Sequence, residues 1–497
     1  MTHRWTWMDQ IADRLVGSGV SPQRRVALLL LSVAGVGLAL LVFLPPMVAK
    51  FTSDTFYLYE RAMYQSPHDI LALFVPVTDN WYRPLTDLAM WLEARAFGQD
   101  PIGYHVVALA SHLLCTALIF ALTVRLTGSR KAALLAGLIF LADPHAQQPL
   151  WDISDLHVVI QTPLFLTALL AYVAGRRKVA LLLAVLGIGV DESGLVIIAI
   201  VGLYELIMVC PALKWSSLKV SFLRLAPFAA VALVYLGARI LTGSIYSEAG
   251  PSCREPRCLS IALGEWSSRF LFRPDAILSG LWAHRPLFAA AALVVWVSIV
   301  LLVRPWTWRE KRVPLFVAAW FVAATAFFIL SLWPYIADRF LYVPDCALAI
   351  LIAVAALRVG ESRPQWSPLM KRVNYAMACI LAIWIAVGPW MMLGRGQLNV
   401  TAGDQAASIT HQTHVLVPNP PPNTVFVFLE VPYFTRPDVP PGNDGPYLFN
   451  NGLQSAIRLE YGRGDLSVVV ARTKVLPSIK GDFLLDIRED TTVVLMP

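Results

Sequence analysis

A set of carboxylates, Asp54, Asp143, Asp152, Asp155, Asp191, Glu192 and Asp338, borders the long apolar stretches of this chain at alternate ends. Asp54 lies in Phe51-Thr52-Ser53-Asp54-Thr55-Phe56-Tyr57, where an acid leaves a helix end beside aromatics. A carboxylate in that setting deprotonates a hydroxyl brought within about 3 Å; the plain alternative is an acid that solvates a helix end. Asp152 and Asp155 stand on one face at a helix start, which suits either a hard divalent ion or the helix dipole. His145 and His157 flank them without matching a compact zinc motif. Asp191-Glu192-Ser193-Gly194 interrupts an apolar hairpin, as paired functional acids or as a solvated cap. Asp338-Arg339 places an acid beside a base at another span's mouth, and Arg239 adds a cation. Arginine grips phosphate through paired donors. Their plain alternatives are a structural ion pair and a snorkelling side chain.

The elements that must hold these groups are membrane helices. Of 497 residues, 57% are hydrophobic, and the mean hydropathy is +0.61, too apolar for a soluble globule of this size. The formal charge of +7 resides in short loops beside apolar spans, a positive-inside signature that argues against a nucleic-acid partner. Apolar runs predict spans near 26–48, 102–124, 131–143, 153–175, 178–190, 194–210, 222–242, 286–303, 313–333, 340–357 and 373–394. The count is about eleven, with 131–143 and 178–190 short for a hydrocarbon core of about 30 Å.

Basic loops such as Arg176-Arg177-Lys178 and Arg309-Glu310-Lys311-Arg312 set one face as cytoplasmic. Residues 1–25 then form a cytoplasmic N-terminal segment, and the outer loops include 49–101 and 243–285. Glu205, Glu310 and Glu361 break the charge bias. The first span lacks the small-residue pattern of a cleavable signal. Residues 26–395 are expected as the transmembrane domain and 396–497 as an extracytoplasmic β-rich domain, with strands near 424–430, 466–471 and 492–497 between turn-rich clusters. Cys253 and Cys258 share an outer loop, where a disulfide is plausible. Asn399-Val400-Thr401 matches a glycosylation acceptor, a triplet common by chance.

In this order the pieces resemble the membrane-embedded glycosyltransferases of the GT-C fold. The likeness is to the protein O-mannosyltransferase and aminoarabinose-transferase superfamily and to the transmembrane tetratricopeptide O-mannosyltransferases. It is carried by Asp54, Tyr82-Arg83-Pro84, Phe97-Gly98 to Gly103-Tyr104-His105, Asp143-Pro144 to Trp151, Asp191-Glu192-Ser193-Gly194, and Asp338-Arg339-Phe340-Leu341-Tyr342-Val343-Pro344. It spans about residues 26 to 357. The chain departs from the pattern at Thr55, where such families often carry a second acid, and in lacking the repeats.

The resemblance implies an all-α polytopic bundle with a small C-terminal β-containing domain. The implied reaction moves a sugar, with inversion, from a polyprenyl-phosphate donor to an acceptor hydroxyl on the extracytoplasmic face. Asp54 is then the general base. Arg239, Arg339 and Arg83 stabilise the departing phosphate, while Asp155, Asp191, Glu192 and Asp338 orient the acceptor or a divalent metal ion. The partners are the bilayer, a lipid-linked sugar and an acceptor protein, lipid or glycan. The expected location is the plasma (inner) membrane with the active face outside, or the endoplasmic reticulum in a eukaryote. A catalytically silent scaffold and a membrane transporter are the competing classes.

Overall fold

Helix length decides which apolar stretches can cross a bilayer unaided. The computed structural model describes Val33, Gly37 and residues 40–64, 67–74, 82–210, 215–241, 308–330, 337–360, 368–432, 446–471, 481–488 and 490–496. Residues 1–25, most of the span at 26–48, the loop at 243–285 with Cys253 and Cys258, and the span at 286–303 lie outside the described residues. Among the described residues five helices are long and apolar enough to cross a membrane, 101–127, 153–173, 192–209, 215–241 and 311–328, and a shorter apolar helix covers 342–357.

Two helices belong to the region that follows the first apolar stretch: α1 (Thr55–Tyr64) and α2 (Pro84–Phe97). Helix α3 (Pro101–Thr127) starts where Asp100 accepts from the Ile102 N–H and ends at the left-handed Gly128. At 1.5 Å per residue its length of about 40 Å exceeds the hydrocarbon core. Helix α4 (Arg130–Leu141) has 12 residues, or about 18 Å, and cannot span alone. It breaks at Ala142-Asp143-Pro144, because proline disfavours helical geometry in the residue before it. A 3-10 turn and the short helix α5 (Gln147–Trp151) carry the chain onward.

Helix α6 (Leu156–Val173) packs against α7 (Arg177–Val190), which has 14 residues. Helix α8 (Val196–Tyr204) runs into a π-helical turn, Glu205–Val209. There buried Glu205 accepts from Tyr172 Oη at 2.7 Å and Ser221 Oγ at 2.7 Å, and pairs with Arg224 at 3.2 Å. That satisfied network accounts for one acid on the basic side. Helices α9 (Trp215–Leu241), α10 (Trp308–Leu330) and α11 (Tyr342–Gly360) complete this part of the bundle. Its core is filled by Phe140, Leu166, Ile200, Phe316, Trp320 and Tyr342, each buried.

Helix α12 (Pro368–Leu416) has 49 residues, about 73 Å long. The texture change at 396 therefore falls inside a helix. Ala402, Ala406, Ile409 and Thr413, spaced three and four apart, are buried along one side. Ala406 and Ile409 join a second core with Phe426, Phe428, Ile457, Leu466 and Leu485. This core lies on a four-stranded sheet of order β2-β1-β3-β4, built from β1 (Val425–Leu429), β2 (Ser467–Ala471), β3 (Phe483–Ile487) and β4 (Val493–Met496). Strand β1 pairs parallel with β2 and β3, and β4 closes antiparallel on β3. Parallel neighbours need a crossover, and helix α13 (Leu453–Tyr461) lies between β1 and β2 in the chain. The C-terminal part is thus α/β in character. Asn399 is buried within α12 and its side-chain amide donates to the Arg395 carbonyl at 3.0 Å, so in the folded chain the acceptor amide of the glycosylation triplet is engaged inside the protein.

Candidate active site

Asp54 sits where the C-terminal part meets the bundle. Ser53 has φ +54°, a conformation uncommon for a residue with a Cβ, and this turn leads into α1. The Ser53 N–H donates to the Leu448 carbonyl at 2.9 Å. Asn450 Nδ2 donates to Asp54 Oδ1 at 3.0 Å, and Asn451 adds hydrogen bonds from its backbone and side chain. Burial raises the Asp54 pKa above its ordinary value, opposed by these donors and by the charge of Arg339. A Cβ at position 452 would lie 2.1 Å from the Ser53 carbonyl oxygen, so glycine alone permits the approach.

The acids at the helix starts divide into two kinds. Asp143, Asp152 and Asp191 each cap a 3-10 turn, accepting from the N–H of His145 at 3.0 Å, Ser154 at 3.0 Å and Ser193 at 2.9 Å. Asp155 makes no cap hydrogen bond. It is 2% exposed, with Oδ1 3.6 Å from Arg339 Nη1 and a buried Oδ2 without a hydrogen-bond partner. Capping accounts for a position like Asp152 and leaves Asp155 unexplained. Burial raises the Asp152 pKa; Ser154 and Arg339 offset this, and the Asp54 charge adds to it. Asp54, Asp152, Asp155 and Arg339 therefore share one electrostatic field.

A second group adjoins this one. Arg83 donates through Nε and Nη2 to the two oxygens of Glu192 at 3.0 and 2.9 Å, and Nη2 lies 2.9 Å from Asp191 Oδ2. The hairpin presenting both acids is tight, since a Cβ on Gly194 would lie 2.8 Å from the Gly187 backbone. His157 Nε2 lies 3.8 Å from Asp191 Oδ2, and the charges of Arg83 and Arg339 both act on His157. Arg239 is buried in α9 and donates to Tyr235 Oη at 3.2 Å. Tyr235 in turn lies in the field of Glu192 and Asp191. The structure thus links Asp54, Asp155 and Arg339 in one cluster and Arg83, Asp191, Glu192 and Arg239 in the next.

Asp338 has a different place. It is fully buried, bonded to Arg395 in α12 and accepting from Gln147 Nε2 at 2.7 Å. Its neighbour is held from the same short helix, as the Arg339 N–H donates to Gln148 Oε1 at 3.3 Å. Asp338 is an internal brace for the turn that carries Arg339. Sequence reasoning missed Arg395, whose signal was a lone cation at the end of the apolar run at 373–394. It also missed Asn450 and Asn451, which no motif marks. Among the described residues one group of three metal-capable side chains converges, Asp143, His145 and Asp345, and it includes none of the acids around Asp54.

No protein-family model matches the sequence, and no curated protein matches it. Solved structures do. ArnT from Cupriavidus metallidurans in the apo state superposes with a TM-score of 0.51 at 14% identity, over 90% of this chain and 87% of that chain. ArnT from the same organism bound to undecaprenyl phosphate gives 0.50 at 14% identity, over 90% and 86%. The chain has the GT-C fold. The archaeal oligosaccharyltransferase AglB from Archaeoglobus fulgidus, in complex with an inhibitory peptide and a dolichol-phosphate, matches with a TM-score of 0.46 at 13% identity, over 86% of this chain and 64% of that one.

At these identities the GT-C likeness concerns the path of the chain, and the chemistry must come from the side chains. Within the GT-C bundle the Asp54 cluster offers a half-buried carboxylate and a guanidinium in one field. That combination can accept a proton at one point and compensate new negative charge at another.

Proposed function

We propose that this protein is an integral-membrane glycosyltransferase that moves a sugar from a polyprenyl-phosphate donor to an acceptor hydroxyl. The observation that carries the reading is the Arg339 guanidinium 3.6 Å from Asp155 and close enough for its charge to act on Asp54, three residues from elements far apart in the chain. The GT-C fold, shared with ArnT bound to undecaprenyl phosphate, supports a lipid-linked donor.

In this mechanism Asp54 takes the proton of the acceptor hydroxyl, whose oxygen forms a bond to the anomeric carbon. The bond from that carbon to the phosphate oxygen breaks on the opposite face, so the configuration inverts. The phosphate leaves on the lipid with one more negative charge, which Arg339 compensates at the point where it develops. Asp155 holds the Arg339 guanidinium in place. Arg83 is engaged by Glu192 and Asp191 and its charge acts on Asp155, while Arg239 donates to Tyr235 Oη; both add positive charge on the side of the Asp191–Glu192 hairpin. A divalent ion at Asp191 and Glu192 would have to displace the Arg83 guanidinium, so those carboxylates do not fit one and no step uses it. The positive-inside bias of the loops supports an active face outside the cytoplasm in the plasma (inner) membrane.

The test uses purified full-length protein in nanodiscs with a panel of polyprenyl-phosphate sugars, read by mass spectrometry of released polyprenyl phosphate and of glycosylated acceptor. Wild type releases lipid phosphate, Asp54→Asn loses about 10²-fold or more, and Arg339→Ala about 10²–10³-fold in kcat. Unchanged turnover in Asp54→Asn removes the base from this scheme. Substrate flux across the bilayer without transfer favours a transporter instead.

A further inference from the structure

Three buried side chains away from the Asp54 cluster make a second polar centre. Asp143, His145 and Asp345 are 1%, 3% and 4% exposed. His145 Nδ1 lies 3.2 Å from Asp143 Oδ1 and 2.8 Å from Asp345 Oδ2, and ligand atoms of all three residues fall within 4.8 Å of one another. The chain that brings them together comes from the break after α4, the turn that follows it and the first turn of α11.

We propose that Asp143, His145 and Asp345 bind one divalent transition-metal ion of the zinc class, which braces the turn bearing Asp338 and Arg339. Unsatisfied atoms support this: Asp143 Oδ2 and Asp345 Oδ1 are both buried without a hydrogen-bond partner. A mixed nitrogen and oxygen donor set suits zinc, whose tetrahedral ligands at about 2 Å stand about 3.3 Å apart. The observed spacing therefore needs only small side-chain shifts to close on an ion.

The location indicates what the ion would do. His145 is followed by Gln147 and Gln148, which hold Asp338 Oδ2 and the Arg339 N–H. Asp345 follows the same Asp338–Arg339 turn on α11. A metal linking His145 to Asp345 would tie together both supports of Arg339. This inference does not depend on the transferase reading, because its readout is metal itself.

The experiment takes purified full-length protein, strips it with a chelator, dialyses it, and titrates it with Zn²⁺, Co²⁺ or Mg²⁺. Expected are about one equivalent of zinc retained, a rise in Tm on adding it, and visible cobalt absorption that zinc displaces. Asp345→Asn and His145→Gln should each abolish retention and the Tm rise. The wild-type cobalt spectrum decides the matter even where a variant fails to fold. Wild type that retains no zinc and shows no Tm change, variants that retain metal like wild type, or binding of Mg²⁺ in place of Zn²⁺ would each overturn the proposal. Retained zinc with lost lipid-phosphate release in Asp54→Asn, or with no release in wild type, separates this site from the reaction.

Discussion

Asn450 Nδ2 donates to Asp54 Oδ1 at 3.0 Å, joining residues 396 positions apart. The proposed base is thus held from both sides, by its own turn at Ser53 and by a loop of the C-terminal part. Two further ion pairs cross the same joint, Arg458 with Glu60 at 3.3 Å and, on the exposed surface, Lys50 with Asp404 at 2.9 Å. The C-terminal part is in this sense a wall of the site.

Asn450→Ala should move the acidic limb of the transfer-rate profile upward by about one to two pH units, since a hydrogen bond to a charged group contributes about 1.5–3 kcal/mol. The Asp54 pKa is already raised by burial, and Asn450 is one of the groups that hold it down. Asp54 must be ionised to accept a proton, so activity falls as pH drops through its pKa, and removing the donor makes that fall begin at higher pH. A pH–rate profile of kcat for both proteins checks this.

Gly452→Ala should loosen the joint without touching the carboxylate. The added Cβ would meet the Ser53 carbonyl oxygen at 2.1 Å, and relieving such an overlap costs about 1–3 kcal/mol. The expected signs are a lower Tm and faster proteolytic cutting near residues 446–452, with less transfer at unchanged helical content.

Breaking the pair between Asp338 and Arg395 should be among the more damaging single changes in α12. Asp338 is fully buried and Arg395 is nearly so, and removing one partner of a buried pair costs about 3–5 kcal/mol. Arg395→Met alone should lower Tm strongly, while Arg395→Met with Asp338→Leu should recover much of the loss. A double-mutant cycle in thermal melts decides it; equal Tm values for single and double variants would contradict the pairing.

Glu93 supplies a prediction independent of catalysis. It is buried in α2, and burial raises its pKa to about 8. A carboxyl with a folded pKa above its unfolded value stabilises the fold fully below the unfolded value, and that contribution is lost as pH rises through the folded one. Between about pH 4.5 and 8, wild-type Tm should therefore fall more steeply than that of Glu93→Gln. Parallel curves would show that Glu93 is ionised in the folded state.

How much of this was legible beforehand follows from the range of each interaction. Strands 425–429, 467–471 and 493–496 were readable because β-branched runs between turn residues are local patterns, whereas 483–487 (Phe-Leu-Leu-Asp-Ile) passed unread because it lacks that β-branched signature. The long helix to Leu416 was obscured by the polar composition after Arg395. There Ala406 and Ile409 are the residues that join the core on the sheet.

The residues of the candidate site were visible as charged side chains at the ends of apolar stretches, since placing an ion there costs free energy that a sequence can display. Their partners were not visible. Whether an aspartate caps its own turn, as Asp152 does, or faces a guanidinium, as Asp155 does, depends on which distant element the fold brings alongside. Composition and charge pattern alone determined that this chain is a helical membrane protein with its acids gathered at the ends of its spans. Only tertiary structure decided that Asn450 holds Asp54, that Arg395 neutralises Asp338, and that Asp143, His145 and Asp345 meet, because hydrogen bonds and ion pairs act over a few ångströms whatever the separation along the chain.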